Sequence, residues 1–208
     1  MNGPLEELLR HPALWRGDSM ADASTTIPTG FRRLDERLPG GGWPASTLIE
    51  LLVPAPGVGE LRLLVPALRA LSAERPDAPR WLAWLAPPYL PYAPALADAG
   101  LDPAHSLVIR PRAGLDLLWA MEQALRSGAC AAVLGWTSAA SDQALRRLKL
   151  AAAEGQSLGF LFRPPCHHHE SSPAALRLLL TARNNGLDIE ILKSRGGSPA
   201  RIDGLPIH

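Results

Sequence analysis

Five short apolar runs, "TLIELL" (47–52), "RWLAWLA" (80–86), "SLVIR" (106–110), "CAAVLG" (130–135) and "LGFLFR" (158–163), alternate with helix-patterned stretches. Runs this short and this apolar read as strands buried on both faces, with "TLIELL" a central one. Alternation with helices over 58–74, 93–99, 114–128 and 140–154 argues for parallel β-α-β units covered by helices on both faces. The first helix repeats Leu61, Leu64, Leu68 and Leu71, while Gly100 and Gly128 mark helix ends. "PAALRLLLTAR" and "LDIEILKSRGG" follow, separated by the hairpin signal Asn184-Asn185-Gly186, so the sheet ends in an antiparallel pair.

A chain of 208 residues suits one domain. The expected division is an N-terminal arm and linker over 1–24, the α/β domain over 25–202 and a tail over 203–208. Leu5, Leu8 and Leu9 give the arm an apolar side, suited either to docking on a partner or to fraying in solvent. With only Cys130 and Cys166, no disulfide framework or zinc spacing arises, and a reducing cytoplasm is expected. No apolar run has the length of a membrane helix, and the N-terminus lacks a secretory pattern. Residues 1–142 carry 12 basic and 15 acidic groups, a net of −3, whereas 143–208 carry 9 and 5, a net of +4. The tilt permits an anionic partner near the C-terminus, and an ordinary solvated surface explains it equally.

The turn in "ELLVPAPGVGELRLL" (50–64) has the outline of a phosphate-binding loop: a strand, a Pro/Gly turn at Val53, Pro54 and Gly57, then a helix starting near Gly59 and Glu60. Such loops combine backbone N–H groups with a lysine for charge and a hydroxyl for magnesium. Neither side chain is present in either register, and Pro54 and Pro56 each remove a donor. A carboxylate at Glu60 would repel triphosphate. The glycines at 57 and 59 leave two readings, a weak anion nest or a turn that needs glycine for its geometry.

"IPTGFRRLDERLPGGGWPASTLIEL" and the stretch from "PALADAGLDPAHSLVIR" to "LRSGACAAVLGW" resemble the RecA-type ATPase core. Within that group, "HPALWRG", "PGGGWP", "GELRLL", "WLAWLAPPYLPYAPAL", "LGFLFRP" and "ILKSRGG" are similar to the ImuA and SulA-like branch, the first string to ImuA in particular. The resemblance implies a RecA-like P-loop NTPase core with a mostly parallel sheet and an antiparallel C-terminal hairpin. It places Gly135 at the lost Walker B carboxylate and Pro88 at the lost catalytic glutamate, so no ATPase activity and no cofactor are expected. It further implies an accessory role in damage-induced translesion synthesis. The partners would be an ImuB-like Y-family polymerase relative, RecA and, indirectly, a DnaE-type polymerase. The alternative is a SulA-like cell-division inhibitor that binds the GTPase FtsZ.

Remaining candidates are weaker. "CHHHE" (166–170) lacks a second ligand cluster, so no metal is expected. Arg163, Lys193, Arg195 and Arg201 are candidate contacts for DNA or a protein partner, with "KSRGGSPAR" the best basic, glycine-rich stretch; an ordinary charged surface interleaved with Glu154, Asp188 and Glu190 is the alternative. Trp81 and Trp84 should face opposite sides of their strand. Tyr89 and Tyr92, on a proline-fixed loop, suit an interface, with core packing the alternative for Tyr92.

Overall fold

The computed structural model describes residues 25–74, 78–111, 114–184 and 186–207. The expected arm with Leu5, Leu8 and Leu9 lies outside the described residues, as does Asn185 of the hairpin signal. In chain order the elements are β1 (Thr26–Ile27), α1 (Arg32–Asp35), β2 (Trp43–Pro44), β3 (Leu48–Leu52), α2 (Glu60–Ala73), β4 (Trp81–Leu85), α3 (Ala93–Asp98) and β5 (Ser106–Ile109). Then come α4 (Gly114–Arg126), β6 (Cys130–Trp136), α5 (Asp142–Glu154), β7 (Leu158–Arg163), β8 (Leu176–Arg183), β9 (Gly186–Ser194) and β10 (Ala200–Leu205).

Strands β3 to β10 form one mixed sheet in the order β10-β9-β8-β3-β7-β6-β4-β5. β3 is fully buried and runs parallel to both β7 and β8. Its near-continuous apolar sequence is what a strand covered on both faces requires. Six strands run parallel, and five of them, β3 to β7, coincide with the apolar runs. At the other end the expected hairpin is longer than the sequence suggested. β8, β9 and β10 are successively antiparallel, and "KSRGGSPAR" spans the end of β9, the β9–β10 connection and the first residues of β10. β10 reaches Leu205, past the expected domain limit at 202.

Two cores lie on opposite sides of the sheet. One packs α2 against Ile49, Leu51, Phe160, Leu178, Ile189 and Ile191; the other packs α4 and α5 against Leu48, Ala83, Val133 and Leu161. In the first, Trp84, Trp136 and Phe162 stack across β4, β6 and β7, with ring centroids 6.3 Å and 4.4 Å apart. Trp84 is buried in the α2-side core, while Trp81 is exposed at the start of β4. Leu61 and Leu71 of α2 are only half-buried, while Leu63, Leu64, Ala67 and Leu68 form its inner face. Ser141 caps α5, its hydroxyl accepting from the Ala144 N–H at 3.2 Å. The lead-in is fixed locally: Thr29 donates its N–H to Asp35 at 2.9 Å, and its hydroxyl accepts from the Phe31 N–H at 3.0 Å.

Asp188 fastens the three C-terminal strands. Its carboxylate accepts from Arg183 at 2.6 Å and from the Gly204 N–H at 2.8 Å, with Arg201 at 3.5 Å. The Arg183 hydrogen bond, followed by that from Gly204, holds this carboxyl below the ordinary aspartate range. A depressed folded-state pKa stabilises the fold above the unfolded value of about 3.9 and ceases to do so as pH falls through the folded value. Asp188→Asn is therefore expected to be less stable than the parent at neutral pH, with the gap narrowing below about pH 4. Urea midpoints across that range check this, and a gap independent of pH would contradict it.

The class is thus α/β with a mixed sheet. A P-loop NTPase core is not what the β3–α2 turn forms, because the chain's own carboxylate occupies the place where such a core receives phosphate.

Candidate functional site

The Val53-to-Glu60 turn is closed from within. Glu60 opens α2, is 3% exposed, and folds its carboxylate back over the preceding loop. The Gly57 N–H donates to its two oxygens at 3.0 and 3.1 Å, and the Gly59 N–H donates at 3.1 Å. These are donors that the glycines could have offered to an external anion. A carboxylate at a helix N-terminus is also favoured by the helix dipole. The expectation that Glu60 would merely repel phosphate is therefore sharpened: it is the anion of its own loop.

Gly59 is in the left-handed region at φ 106°, and a Cβ there would run into Ile207, with Leu187 at 3.8 Å. The C-terminal residues thus pack where a lysine side chain would have to leave the turn. Val53 ends β3, donating its N–H to the Arg163 carbonyl at 2.9 Å, while Pro54 is exposed. At Gly135, in β6, a Cβ would lie 2.8 Å from the Met121 sulfur, so the core fills that position. Pro88 is exposed on the loop after β4.

The four basic candidates separate into three environments. Arg163 is 2% exposed, so its reading as a DNA or partner contact is corrected. It bonds Glu50, 0% exposed at the centre of β3, at 2.8 Å; Arg177 bonds the other Glu50 oxygen at 2.8 Å. Arg163 also reaches Glu170 at 3.2 Å, and Arg177 donates to the carbonyls of Glu170 and His167. This buried ionic group ties the 165–170 turn to the sheet. Sequence analysis missed it, although a glutamate inside an apolar central strand signals a buried cationic partner. Arg201 is exposed but paired with Asp203 and Asp188. Lys193 and Arg195 are exposed at the end of β9 and just beyond it.

The histidine segment is more ordered than a loose loop. His167 pairs through one ring nitrogen with Glu170 at 2.8 Å and through the other with the Ser138 carbonyl at 2.9 Å. The His167 hydrogen bond places the Glu170 carboxyl below its usual range. His168 and His169 meet edge to face. Among the described residues no group of three or more His, Cys, Asp or Glu is placed to hold a metal ion. Nor is any helix among them long and apolar enough to cross a membrane.

Large apolar side chains remain outward at the β4–β5 edge. Trp81 at the start of β4 and Leu107 on edge strand β5 are exposed, as is Trp119 on α4. On the loop after β4, Tyr89 is 73% exposed, Tyr92 71% and Leu90 is exposed too, which removes core packing as the reading for Tyr92.

These features define a mixed α/β domain whose phosphate-type turn is closed by its own glutamate and whose sheet edge carries an aromatic rim. Comparison with known proteins gives the family. The sequence model described as cell division inhibitor SulA matches residues 50–159, just over half of the chain, and the chain belongs to that family. The cell division inhibitor SulA of Photorhabdus laumondii is 34% identical over 116 residues, covering 56% of this chain and 63% of that protein. SulA of Yersinia pestis is 36% identical over 103 residues, covering 50% of this chain and 59% of that protein. The chain thus spans about six-tenths of the length of these relatives. A crystal structure of SulA from Pseudomonas aeruginosa is 33% identical, covers 56% of this chain and 97% of its own, and superposes with a TM-score of 0.45.

The family match corrects several expectations together. Of the two branches the sequence resembled, SulA is the one matched; the ImuA assignment does not stand. The translesion role falls with it, as do ImuB, RecA and a DnaE-type polymerase as partners. The RecA-like ATPase comparison also loses its place, so Gly135 and Pro88 are not read as lost catalytic positions. The family description is that of an inhibitor and names no reaction.

Proposed function

We propose that this protein is a damage-induced inhibitor of cell division that acts by binding the division GTPase FtsZ, without chemistry of its own. The match to the cell division inhibitor family carries this reading. Supporting it, the matched stretch 50–159 contains every residue of the aromatic rim: Trp81, Tyr89, Leu90, Tyr92, Leu107 and Trp119. Exposed aromatics on proline-bounded turns are the side chains that anchor protein interfaces, because they bury much area for little lost freedom. Tyr89 and Tyr92 flank Leu90-Pro91, which stiffens the loop before any partner arrives.

The test is an FtsZ sedimentation assay with GTP, paired with cell length after expression in a rod-shaped bacterium. Equimolar protein is expected to keep FtsZ out of the pellet and to produce filaments. A double substitution, Tyr89→Ala with Tyr92→Ala, is expected to weaken inhibition at least tenfold, about 1.4 kcal/mol. Unchanged FtsZ polymerisation at several-fold excess of the parent protein would overturn the reading.

A further inference from the structure

Three cations from two parts of the chain share one side of the sheet. Lys149 lies on α5, Lys193 near the end of β9, and Arg195 just after it. Strand register sets the side. Lys193 is opposite Arg177, whose neighbours Leu176 and Leu178 enter the α2-side core, so Arg177 and Lys193 face the α4–α5 side. There α5 packs through Leu145, Leu148, Ala151 and Ala152 into the same core as Ala174. Both basic residues of the β9 end are fastened beside Ala174. The Lys193 ammonium donates to the Ser172 carbonyl, and the Arg195 N–H donates to the Ala175 carbonyl at 3.0 Å.

The neighbouring cations on α5 each have a carboxylate: Arg146 has Asp142 and Arg147 has Glu122. Among the described residues, no carboxylate pairs with Lys149, Lys193 or Arg195. Partial burial first, then repulsion from Lys193 and Arg195, holds the Lys149 ammonium below its ordinary range. Like charges gathered without counter-charge oppose folding and favour any anion that arrives.

We propose that Lys149, Lys193 and Arg195 form a docking site for an acidic peptide segment of a partner protein. Two features favour a peptide over a nucleic acid. Neither α5 nor β9, the elements that carry the cations, contains an aromatic residue on which bases could stack. Leu150, 67% exposed, follows Lys149 on α5 and offers an apolar contact that a phosphate backbone would not use. The site uses none of the residues proposed for FtsZ and does not depend on FtsZ as the partner.

Fluorescence anisotropy on the whole chain tests it, at physiological salt, with two labelled probes: a short peptide alternating acidic residues with leucine, and a short oligothymidylate. The parent is expected to bind the peptide, and Lys149→Gln with Arg195→Gln to weaken it roughly tenfold. Arg62→Gln with Arg69→Gln removes the same charge from exposed positions on α2 and should leave binding unchanged. No peptide binding by the parent, equal loss in both double variants, or tighter oligothymidylate binding abolished by the first pair would each overturn the proposal.

Discussion

Replacing Glu50 by alanine should destabilise the domain by about 3–5 kcal/mol, the range found when one partner of a buried ion pair is removed. Glu50 is wholly buried in the central strand and receives Arg163 on one oxygen and Arg177 on the other, each at 2.8 Å. Without it, two buried guanidinium groups face each other across an apolar strand. Arg163 would keep only its contact to Glu170, a residue half open to solvent, and its Nε already lacks a partner. Arg177 would keep the carbonyls of His167 and Glu170. A domain of this kind is stable by about 5–15 kcal/mol in total, so the loss is a large share. Urea unfolding should show a lower midpoint with an unchanged slope. Glu50→Gln, which keeps the shape but loses the charge, should fall between. Equal midpoints for parent and Glu50→Ala would show that the ionic group contributes nothing.

Gly135→Asp should be comparably damaging, on the order of 3–5 kcal/mol, from overpacking and an unpaired polar group together. The first added atom would sit 2.8 Å from the Met121 sulfur and 3.6 Å from Leu161, both completely buried. None of the three nearest atoms, two of Met121 and one of Leu161, is a hydrogen-bond donor. Gly135→Ala isolates the packing part and should lose about 1–3 kcal/mol. Thermal melts of the pair separate the two contributions. An aspartate variant as stable as the alanine one would mean that the core opens to water at this point.

The parallel half of the sheet was legible because each strand is a brief apolar run bounded by turn residues. The antiparallel half was only partly so. β10, "ARIDGL", carries charges and a glycine that mask its alternation, and its pairing with β9 shifts register between Ile202 and Leu205. At the loop, spacing revealed the absent lysine but not that Glu60 would turn back on Gly57 and Gly59, since a side-chain direction is set by packing. Arg163 looked like surface because arginine usually is; its partner Glu50 is 113 residues away in sequence. The ImuA reading has a simple origin. Most of the strings that carried it fit either branch, and the one that favoured ImuA, "HPALWRG" (11–17), lies outside both the matched stretch and the described residues.

Because Glu60 supplies internally the anion that comparable loops take from a bound phosphate, the Gly57 and Gly59 donors are satisfied without a ligand. Ligands that bind only the native state shift unfolding equilibria by mass action, and here that lever has no handle at the β3–α2 bend. Adding a nucleoside triphosphate would then bring no gain in melting temperature through this turn.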